Sequence, residues 1–298
     1  MKHKIVLSKG DMVFTIVNHA FLTLIVIIIL YPLIYVVSAS FSSPTAVISG
    51  RVILWPVDIS LKGYEAIFSN NQVLTGYWNS LIYTVAGTAF NVSLTLMAAY
   101  PLSRGSHVIL GSKAIMFVYV FTMLFSGGLI PNFLLINKLG LYNTRWALIL
   151  PGAVSVWNML ITRTFFMTNI PASLYEVSEL EGASELRIFL QIVLPLSGAI
   201  ISVNTLFYAV GHWNSYFNAL IYLKDAHLFP LQIILRNILI INQVDSSMLS
   251  VEEMEAREGL KELLKYSLIV VASAPVLMIY PFVQKHFVRG VMIGSIKG

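Results

Sequence analysis

The chain has 298 residues, of which 57% are hydrophobic and only 11% are charged, and its mean hydropathy is +0.79. Because soluble domains carry about 25% charged residues, this composition excludes a water-soluble globular protein and predicts a polytopic membrane protein. The absence of cysteine excludes disulfides, thiolate metal sites and cysteine nucleophiles. The net charge of +5 is not concentrated in a basic cluster, so no nucleic-acid partner is expected.

Six apolar segments are long enough to cross a bilayer, whose hydrocarbon core requires about 20 apolar residues. They lie near residues 14–37, 79–102, 114–136, 146–166, 196–222 and 267–288. No internal repeat, low-complexity tract or linker separates them. The sequence therefore predicts an all-α polytopic membrane protein with six transmembrane helices, which form a single transmembrane domain over residues 1–298.

The distribution of lysine and arginine predicts that both termini lie in the cytoplasm. The first segment follows three lysines and is longer than the h-region of a signal peptide, about 7–15 residues, so we expect an uncleaved anchor. With both ends inside, the inner segments carry ten basic and five acidic residues, as the positive-inside rule favours. The basic residues are Lys2, Lys4, Lys9, Arg104, Lys113, Arg163, Arg187, Lys285, Arg289 and Lys297.

The sequence contains none of the common catalytic motifs. The stretch GSHVILGSK (105–113) has glycines but not the spacing of a phosphate-binding P-loop. The H-E-x-x-H and G-x-S-x-G patterns are absent, and the six histidines are scattered without ligand spacing on one helix. We therefore expect no enzymatic activity, no metal site and no cofactor bound by this chain.

The predicted spans contain neutral polar and aromatic side chains rather than charges. Segments 79–102 and 114–136 hold no charged residue, whereas an ion-coupled transporter usually keeps an ionisable group near the bilayer midplane. Aromatic faces stack on sugar rings and amides hydrogen-bond hydroxyls, so the fifth segment offers candidates for a cargo path. They are Asn204, Tyr208, Trp213 and Asn214. The alternative for each is packing between helices, worth about 1 kcal/mol per polar side chain.

An acidic stretch, YEVSELEGASELRIFLQIVLP (175–195), separates the fourth and fifth segments. Ser173 and Glu176 have capping-box spacing, which predicts a helix start, and Gly182 predicts a left-handed helix end about two turns later. A second amphipathic helix then leads to Pro195. Because a two-turn helix is unstable alone in water, we expect it to pack against a soluble partner whose arginines receive its glutamates. The alternative, a helix resting on lipid headgroups, would favour lysine and arginine instead.

This stretch resembles the cytoplasmic loop of ABC-importer permeases, in which EAA is followed by three residues, a glycine, nine residues and I-x-LP. The corresponding residues here are Glu176, Val177, Ser178, Gly182, Ile192, Leu194 and Pro195. The one departure is Val-Ser in place of Ala-Ala. Residues 123–158, 207–223, 229–239 and 280–298 also resemble the MalG-like permeases of carbohydrate importers, and most of all their LplC/YtcP subgroup. The resemblance covers about two thirds of the chain.

The resemblance implies a multi-pass subunit in the bacterial cytoplasmic membrane. A homologous permease completes a heterodimer, two copies of a cytoplasmic ATPase bind ATP and Mg²⁺, and an extracytoplasmic solute-binding protein delivers the cargo. The loop 171–195 would carry a coupling helix seated on the ATPase. The residues assigned to this contact are Glu176, Val177, Ser178, Glu179, Gly182 and Ala183. In the C-terminal tail, Gly294 and Lys297 would enter the interface between the ATPase subunits.

The implied function is import of a carbohydrate, specifically an oligosaccharide, by ATP-driven alternating access. Two alternatives stay open: an ion-coupled secondary transporter of a small polar solute, which should show a buried charge, and a membrane scaffold without a pathway. The subgroup is associated with oligosaccharides that often contain uronate or rhamnose, and the sequence does not choose among them. An anionic cargo would favour a basic residue on the path, and Arg163 is the only candidate near the spans.

Overall fold

The computed structural model describes residues 8–241 and 261–279, and within these ranges every regular element is helical. The predicted all-α class is therefore confirmed for these residues. In chain order the helices are α1 (Lys9–Ser40), α2 (Pro44–Ile48), α3 (Lys62–Phe68), α4 (Asn71–Arg104), α5 (Ser112–Leu124), α6 (Leu129–Lys138), α7 (Trp146–Ile149), α8 (Val156–Asn169), α9 (Ala172–Leu180), α10 (Glu185–Ile188), α11 (Leu194–Leu196), α12 (Gly198–Trp213), α13 (Phe217–Tyr222), α14 (Leu231–Ile241) and α15 (Lys261–Ile279). Short 3₁₀ turns span Gly105–His107 and Ala226–Leu228, and a π-helical turn spans Phe189–Val193.

The chain divides into two compact units, and the first combines Met1–Asn70 with Ile238–Ser273. In this unit α1 runs into a loop that folds back over its last turn, where Ala39, Ala46, Val47 and Val52 form a small apolar cluster. The rings of Tyr35 and Tyr266 meet edge to face with centroids 5.6 Å apart. The unit thereby joins the end of α1 to the first turns of α15.

The second unit combines Asn71–Asn237 with Ala274–Gly298, and its core forms where α4, α8 and α12 pack together. Leu96, Met159, Phe166 and Tyr208 are buried in this core. The same core includes Tyr175, Ile188 and Phe189 from the predicted acidic loop. The loop is therefore packed onto the helix bundle and does not project from it as an isolated hairpin.

Three helices in the described ranges are long and apolar enough to cross a membrane, and up to five spans result if each of two bent pairs is counted as one. The three are α1, α4 and α15, which coincide with the first, second and sixth predicted segments. The remainder of the sixth segment, 280–288, lies outside the described residues, as do Gly294 and Lys297 of the tail. The count of six spans stays a prediction.

The third and fourth predicted segments are interrupted rather than continuous. The third is bent by 116° between α5 and α6, at a point where Gly128 has φ of +83°, a conformation that glycine adopts without steric cost. The fourth is broken between α7 and α8, where Pro151 lacks an amide hydrogen and Gly152 has φ of +75°. Hydropathy averaged over a window does not register such breaks.

The fifth predicted segment is also divided. The helical stretch Glu185–Leu196 meets α12 at an angle of 81°, and α12 ends at Trp213 before α13 begins at Phe217. A π-helical turn precedes the bend, and in it the Leu194 amide donates to the Phe189 carbonyl five residues earlier. Pro195 follows directly and has no amide hydrogen to continue the ladder. The wide turn and the proline together end the regular helix at the entry to α12.

Candidate coupling site

Helix α9 (Ala172–Leu180) begins earlier than the sequence predicts. Its N-cap is Pro171, with φ of −59° and ψ of 134°, and no side chain caps the first turn. The predicted capping box of Ser173 and Glu176 is therefore wrong. The proline ring fixes φ near the helical value while ψ stays extended, so the helix starts at Ala172 and Ser173 falls inside its first turn.

The end of α9 agrees with the prediction. Gly182 has φ of +75° and donates its amide to the Glu179 carbonyl at 3.0 Å, while the Ala183 amide donates to the Ser178 carbonyl at 2.9 Å. These two bonds form a Schellman motif, which satisfies carbonyls that would otherwise lack partners at the helix end. Because no atom lies within 4 Å of a Cβ built on Gly182, the backbone conformation rather than space favours glycine here.

The two faces of α9 differ sharply in exposure. Tyr175 and Ser178, one turn apart, are 6% exposed and point into the bundle. Leu174, Val177 and Leu180 form an exposed apolar ridge, and the exposed fraction of Leu180 reaches 88%. Large exposed apolar residues in a row mark contact surfaces more often than scattered ones do.

Arg104, the last residue of α4, binds the acidic loop from within the chain. Its guanidinium pairs with the Glu179 carboxylate, lies 3.7 Å from the Glu185 carboxylate and stacks 4.1 Å above the Tyr175 ring centre. The expectation that a soluble partner's arginines receive the glutamates is therefore wrong for Glu179, which is paired within the chain. Burial raises the pKa of the Tyr175 phenol above its ordinary value, so the ring stays neutral and presents its π face to the cation.

A second contact joins α10 to the same end of α4. The Tyr100 hydroxyl donates to the Glu185 carboxylate, and the Tyr100 ring lies 5.0 Å from that of Phe189. The Ser184 hydroxyl accepts from the Arg187 amide and caps α10. Two of the four glutamates in the loop, Glu179 and Glu185, are thus bound inside the chain.

The other two glutamates, Glu176 and Glu181, are exposed and form no ion pair with any residue in the described ranges. Glu181 lies at the rim of a small open cavity of about 100 Å³ between α9 and the following helical stretch. The cavity is lined by Ser178, Glu181, Ala183, Arg187, Ile188, Gln191 and Ile192. An exposed carboxylate, an apolar ridge and a polar recess therefore share one surface.

Two of the predicted path residues are used in packing between helices. The Tyr208 hydroxyl accepts from the Ser155 amide at 2.9 Å and lies 2.6 Å from Thr95 Oγ1, so it connects three segments. Asn204 is 1% exposed and donates to Thr162 Oγ1 at 2.7 Å. Both contacts agree with the packing alternative, and a role on a cargo path remains a prediction.

The other two path residues stand at the end of α12. Trp213 is 3% exposed and meets the Tyr77 ring edge to face at 5.5 Å. Asn214 is exposed and donates its side-chain amide to the Val210 carbonyl of its own helix. The structure therefore brings Asn204, Tyr208 and Trp213 into the interior and leaves Asn214 at the surface.

The contacts of Arg104 and Arg145 were not predicted from the sequence. Arg145 donates to Asn79 Oδ1 at 3.1 Å, and the amide of Asn79 donates to the backbone carbonyls of His227 and Phe229. This network holds the segment between α13 and α14 against the start of α4. Arg163, the predicted basic path residue, donates to the Leu102 carbonyl at 3.0 Å. The only sequence feature that could have indicated the role of Arg104 is its charge, which comes just after the uncharged segment 79–102.

Comparisons with known proteins agree with the resemblance. The chain is 42% identical over 288 residues to the polygalacturonan/rhamnogalacturonan transport system permease protein YtcP of Bacillus subtilis strain 168, which covers 96% of this chain and 98% of that protein. It is 37% identical over 291 residues to the protein LplC of the same organism, with 98% and 97% covered. Galactooligosaccharide permease GanQ, also from Bacillus subtilis, is 28% identical. No protein-family profile matches the chain.

A solved structure supports the same assignment. A crystal structure of a bacterial ABC transporter involved in the import of the acidic polysaccharide alginate contains a chain that is 33% identical, with a TM-score of 0.85 over 95% of this chain and 100% of that one. An ion-coupled secondary transporter is not supported. The buried polar side chains of the described ranges are Ser, Thr, Asn and His, without a carboxylate or a lysine. The chain belongs to the membrane-embedded permease subunits of carbohydrate ABC importers, in the group of LplC and YtcP.

Proposed function

We propose that this chain forms a translocation pathway together with a homologous permease and imports an acidic oligosaccharide. Two copies of a cytoplasmic ATPase, which bind ATP and Mg²⁺, drive the cycle, and an extracytoplasmic binding protein delivers the cargo. The chain lies in the bacterial cytoplasmic membrane with both termini in the cytoplasm. Membership of the permease family and the positive-inside distribution of lysine and arginine support this arrangement.

The observation that carries the proposal is the exposed surface of α9. Leu174, Val177 and Leu180 present apolar area to solvent, and covering such area contributes about 25 cal/mol per Å². Glu176, exposed and without an ion pair in the described ranges, stands beside this ridge. An ATPase cleft with apolar walls and an arginine at its rim fits both features.

The geometry also suggests how ATP binding to the ATPase changes the arrangement of the membrane-spanning helices. Closure of the ATPase dimer displaces α9, and α9 belongs to the same packed core as α4, α8 and α12 through Tyr175. The ATP-bound dimer therefore favours one of two arrangements of the bundle, and nucleotide release favours the other. This is a population shift between inward-facing and outward-facing states.

The proposed cargo class rests on two relatives. YtcP is named for polygalacturonan and rhamnogalacturonan at 42% identity, and the alginate importer is 33% identical. Both names describe acidic glycans. A cargo of this kind carries many hydroxyls, which amide, hydroxyl and aromatic side chains along the pathway suit. It also carries carboxylates, for which Arg163 is the basic candidate near the spans.

Uptake in proteoliposomes that contain the complete complex tests the function. We expect ATP-dependent accumulation of labelled trigalacturonate, little accumulation of maltotriose of the same length, and no effect of a protonophore while ATP is held constant. Uptake of maltotriose alone would contradict the acidic cargo and leave the permease assignment intact. Uptake that follows a proton gradient and ignores ATP would contradict the whole proposal.

A further inference from the structure

We propose that Arg104 is a positioning residue that locks the coupling helix α9 to the cytoplasmic end of α4, so that the two move as one body. The inference rests on the proposed function, because it assumes that an ATPase acts on α9. It goes further by naming the connection through which displacement of α9 reaches a membrane-spanning helix. The connection runs through space between residues that are 75 positions apart in the chain.

The position of Arg104 suits this role. It is the last residue of α4, a helix of 34 residues that is about 50 Å long at 1.5 Å per residue. The other regions of α4 are fixed in the bundle: Thr95 contacts Tyr208 of α12, and Asn91 lies 3.0 Å from the His212 ring. A displacement of Arg104 therefore acts on a helix that is itself packed against α12.

Arg104 makes one cation–π contact and two ion pairs with the loop. The guanidinium engages one ring and two carboxylates at once, on Tyr175, Glu179 and Glu185. Its side chain is 15% exposed, against 52% and 40% for Glu179 and Glu185, so water screens the cation less than an ordinary surface pair. A planar guanidinium can stack and pair simultaneously, which a lysine ammonium cannot do in the same geometry.

A second tie supports the same end of the helix. Tyr100, one turn before Arg104, donates to Glu185, and Arg163 of α8 donates to the Leu102 carbonyl. The last turn of α4 is thereby connected to α8, α9 and α10. Of these connections, Arg104 supplies the contacts to α9, the helix whose outer ridge is exposed.

The test measures the coupling ratio, which is cargo transported per ATP hydrolysed, in the reconstituted complex. Arg104→Ala should lower this ratio by about fivefold or more, the usual lower range of coupling between sites. Glu179→Gln keeps the shape of an exposed side chain and should lower it in the same direction with normal insertion. Lys113→Ala removes an exposed positive charge from the first turn of α5 and should leave the ratio unchanged.

A removable tether separates positioning from folding. Because the chain has no cysteine, an Arg104→Cys, Glu179→Cys pair can be bridged by a bis-methanethiosulfonate spacer once the partners' cysteines are replaced. We expect the unbridged pair to be uncoupled, the bridged pair to regain the coupling ratio, and reduction of the spacer to abolish it again. The same protein sample is compared in each state, so a folding defect cannot produce this pattern.

Three results would overturn the inference: a normal coupling ratio in Arg104→Ala, a normal ratio in Glu179→Gln, or a bridged pair that stays as uncoupled as the unbridged one. Failure of the wild-type complex to transport cargo with ATP would contradict the proposed function instead. If Arg104→Ala does not insert, the Glu179→Gln ratio and the tether experiment still decide. A ratio restored by the tether supports the inference directly.

Discussion

Gly87 of α4 lies directly against the imidazole of His212 on α12, and a Cβ built on this glycine would come 2.5 Å from His212 Nε2. Real Cβ atoms do not approach another atom so closely. The absent side chain therefore permits α4 and α12 to pack at this distance, in the region where Asn91 also contacts His212.

The first prediction follows from this contact. Gly87→Ala should destabilise the chain in detergent by about 1–3 kcal/mol, the usual effect of an added methyl group in a packed core. Gly211→Ala is the matched control, since no atom lies within 4 Å of a Cβ built on Gly211. Alanine stabilises a helix by about 1 kcal/mol relative to glycine, so this variant should not be destabilised. Thermal unfolding of the purified chain checks both, and equal unfolding temperatures for the two variants would contradict the packing described.

The second prediction concerns the end of α9. Gly182→Ala should weaken transport because an L-residue in the left-handed conformation costs about 1–2 kcal/mol, whereas Gly182→Asn should be milder because asparagine tolerates that conformation. The measurement is ATP-dependent uptake at equal amounts of inserted protein. Since the site has free space, an asparagine variant more defective than the alanine variant would argue against backbone conformation as the cause.

The third prediction concerns Glu176. Glu176→Lys should reduce binding of the ATPase, because the exposed carboxylate, which we propose faces an arginine of the ATPase, would be replaced by a cation that repels it. Glu65→Lys makes the same charge change at an exposed position of α3, which the predicted orientation places outside the cell, and should have no effect. Co-purification of the ATPase with each variant is the measurement. Comparable loss with both variants would mean that net charge rather than position matters.

The fourth prediction separates packing from cargo contact at the end of α12. Trp213→Ala should destabilise the chain by about 3–5 kcal/mol because it empties a buried aromatic site. Asn214→Ala removes an exposed amide and should leave stability unchanged while altering the apparent affinity for cargo if Asn214 lines the path. Unfolding temperature and uptake against cargo concentration are measured together. Unchanged affinity in Asn214→Ala would remove that residue from the path.

Short sequence patterns predicted the structural features that depend only on neighbouring residues, namely apolar helices and a helix end. Continuous apolar runs predicted α1 and α4, and the glycine after an acidic turn predicted the left-handed end at Gly182. The helix breaks at Gly128 and Pro151 were missed because flanking apolar residues dominate any hydropathy window. The family resemblance supplied the function, since composition alone indicates only a membrane protein.

Contacts through space could not be predicted in the same way. Glu179 looked available to a partner because the nearest basic residue in sequence, Arg187, belongs to the next helix. The cation that binds it lies 75 positions earlier. Tyr208 and Asn204 looked like candidates for a path because they are polar residues in an apolar segment. Which residue each of them contacts depends on how α4, α8 and α12 cross. The sequence of a single segment does not determine that crossing.

The central claim is that the exposed ridge of α9 is the surface on which the ATPase acts. A photo-crosslinking residue at Leu180, 88% exposed, tests it most directly, with Trp55, 81% exposed, as the control position. In membranes that contain the complete importer, we expect Leu180 to give an adduct with the ATPase whose yield changes when ATP is added, and Trp55 to give none. Absence of an ATPase adduct at Leu180, or an equal adduct at Trp55, would contradict the account.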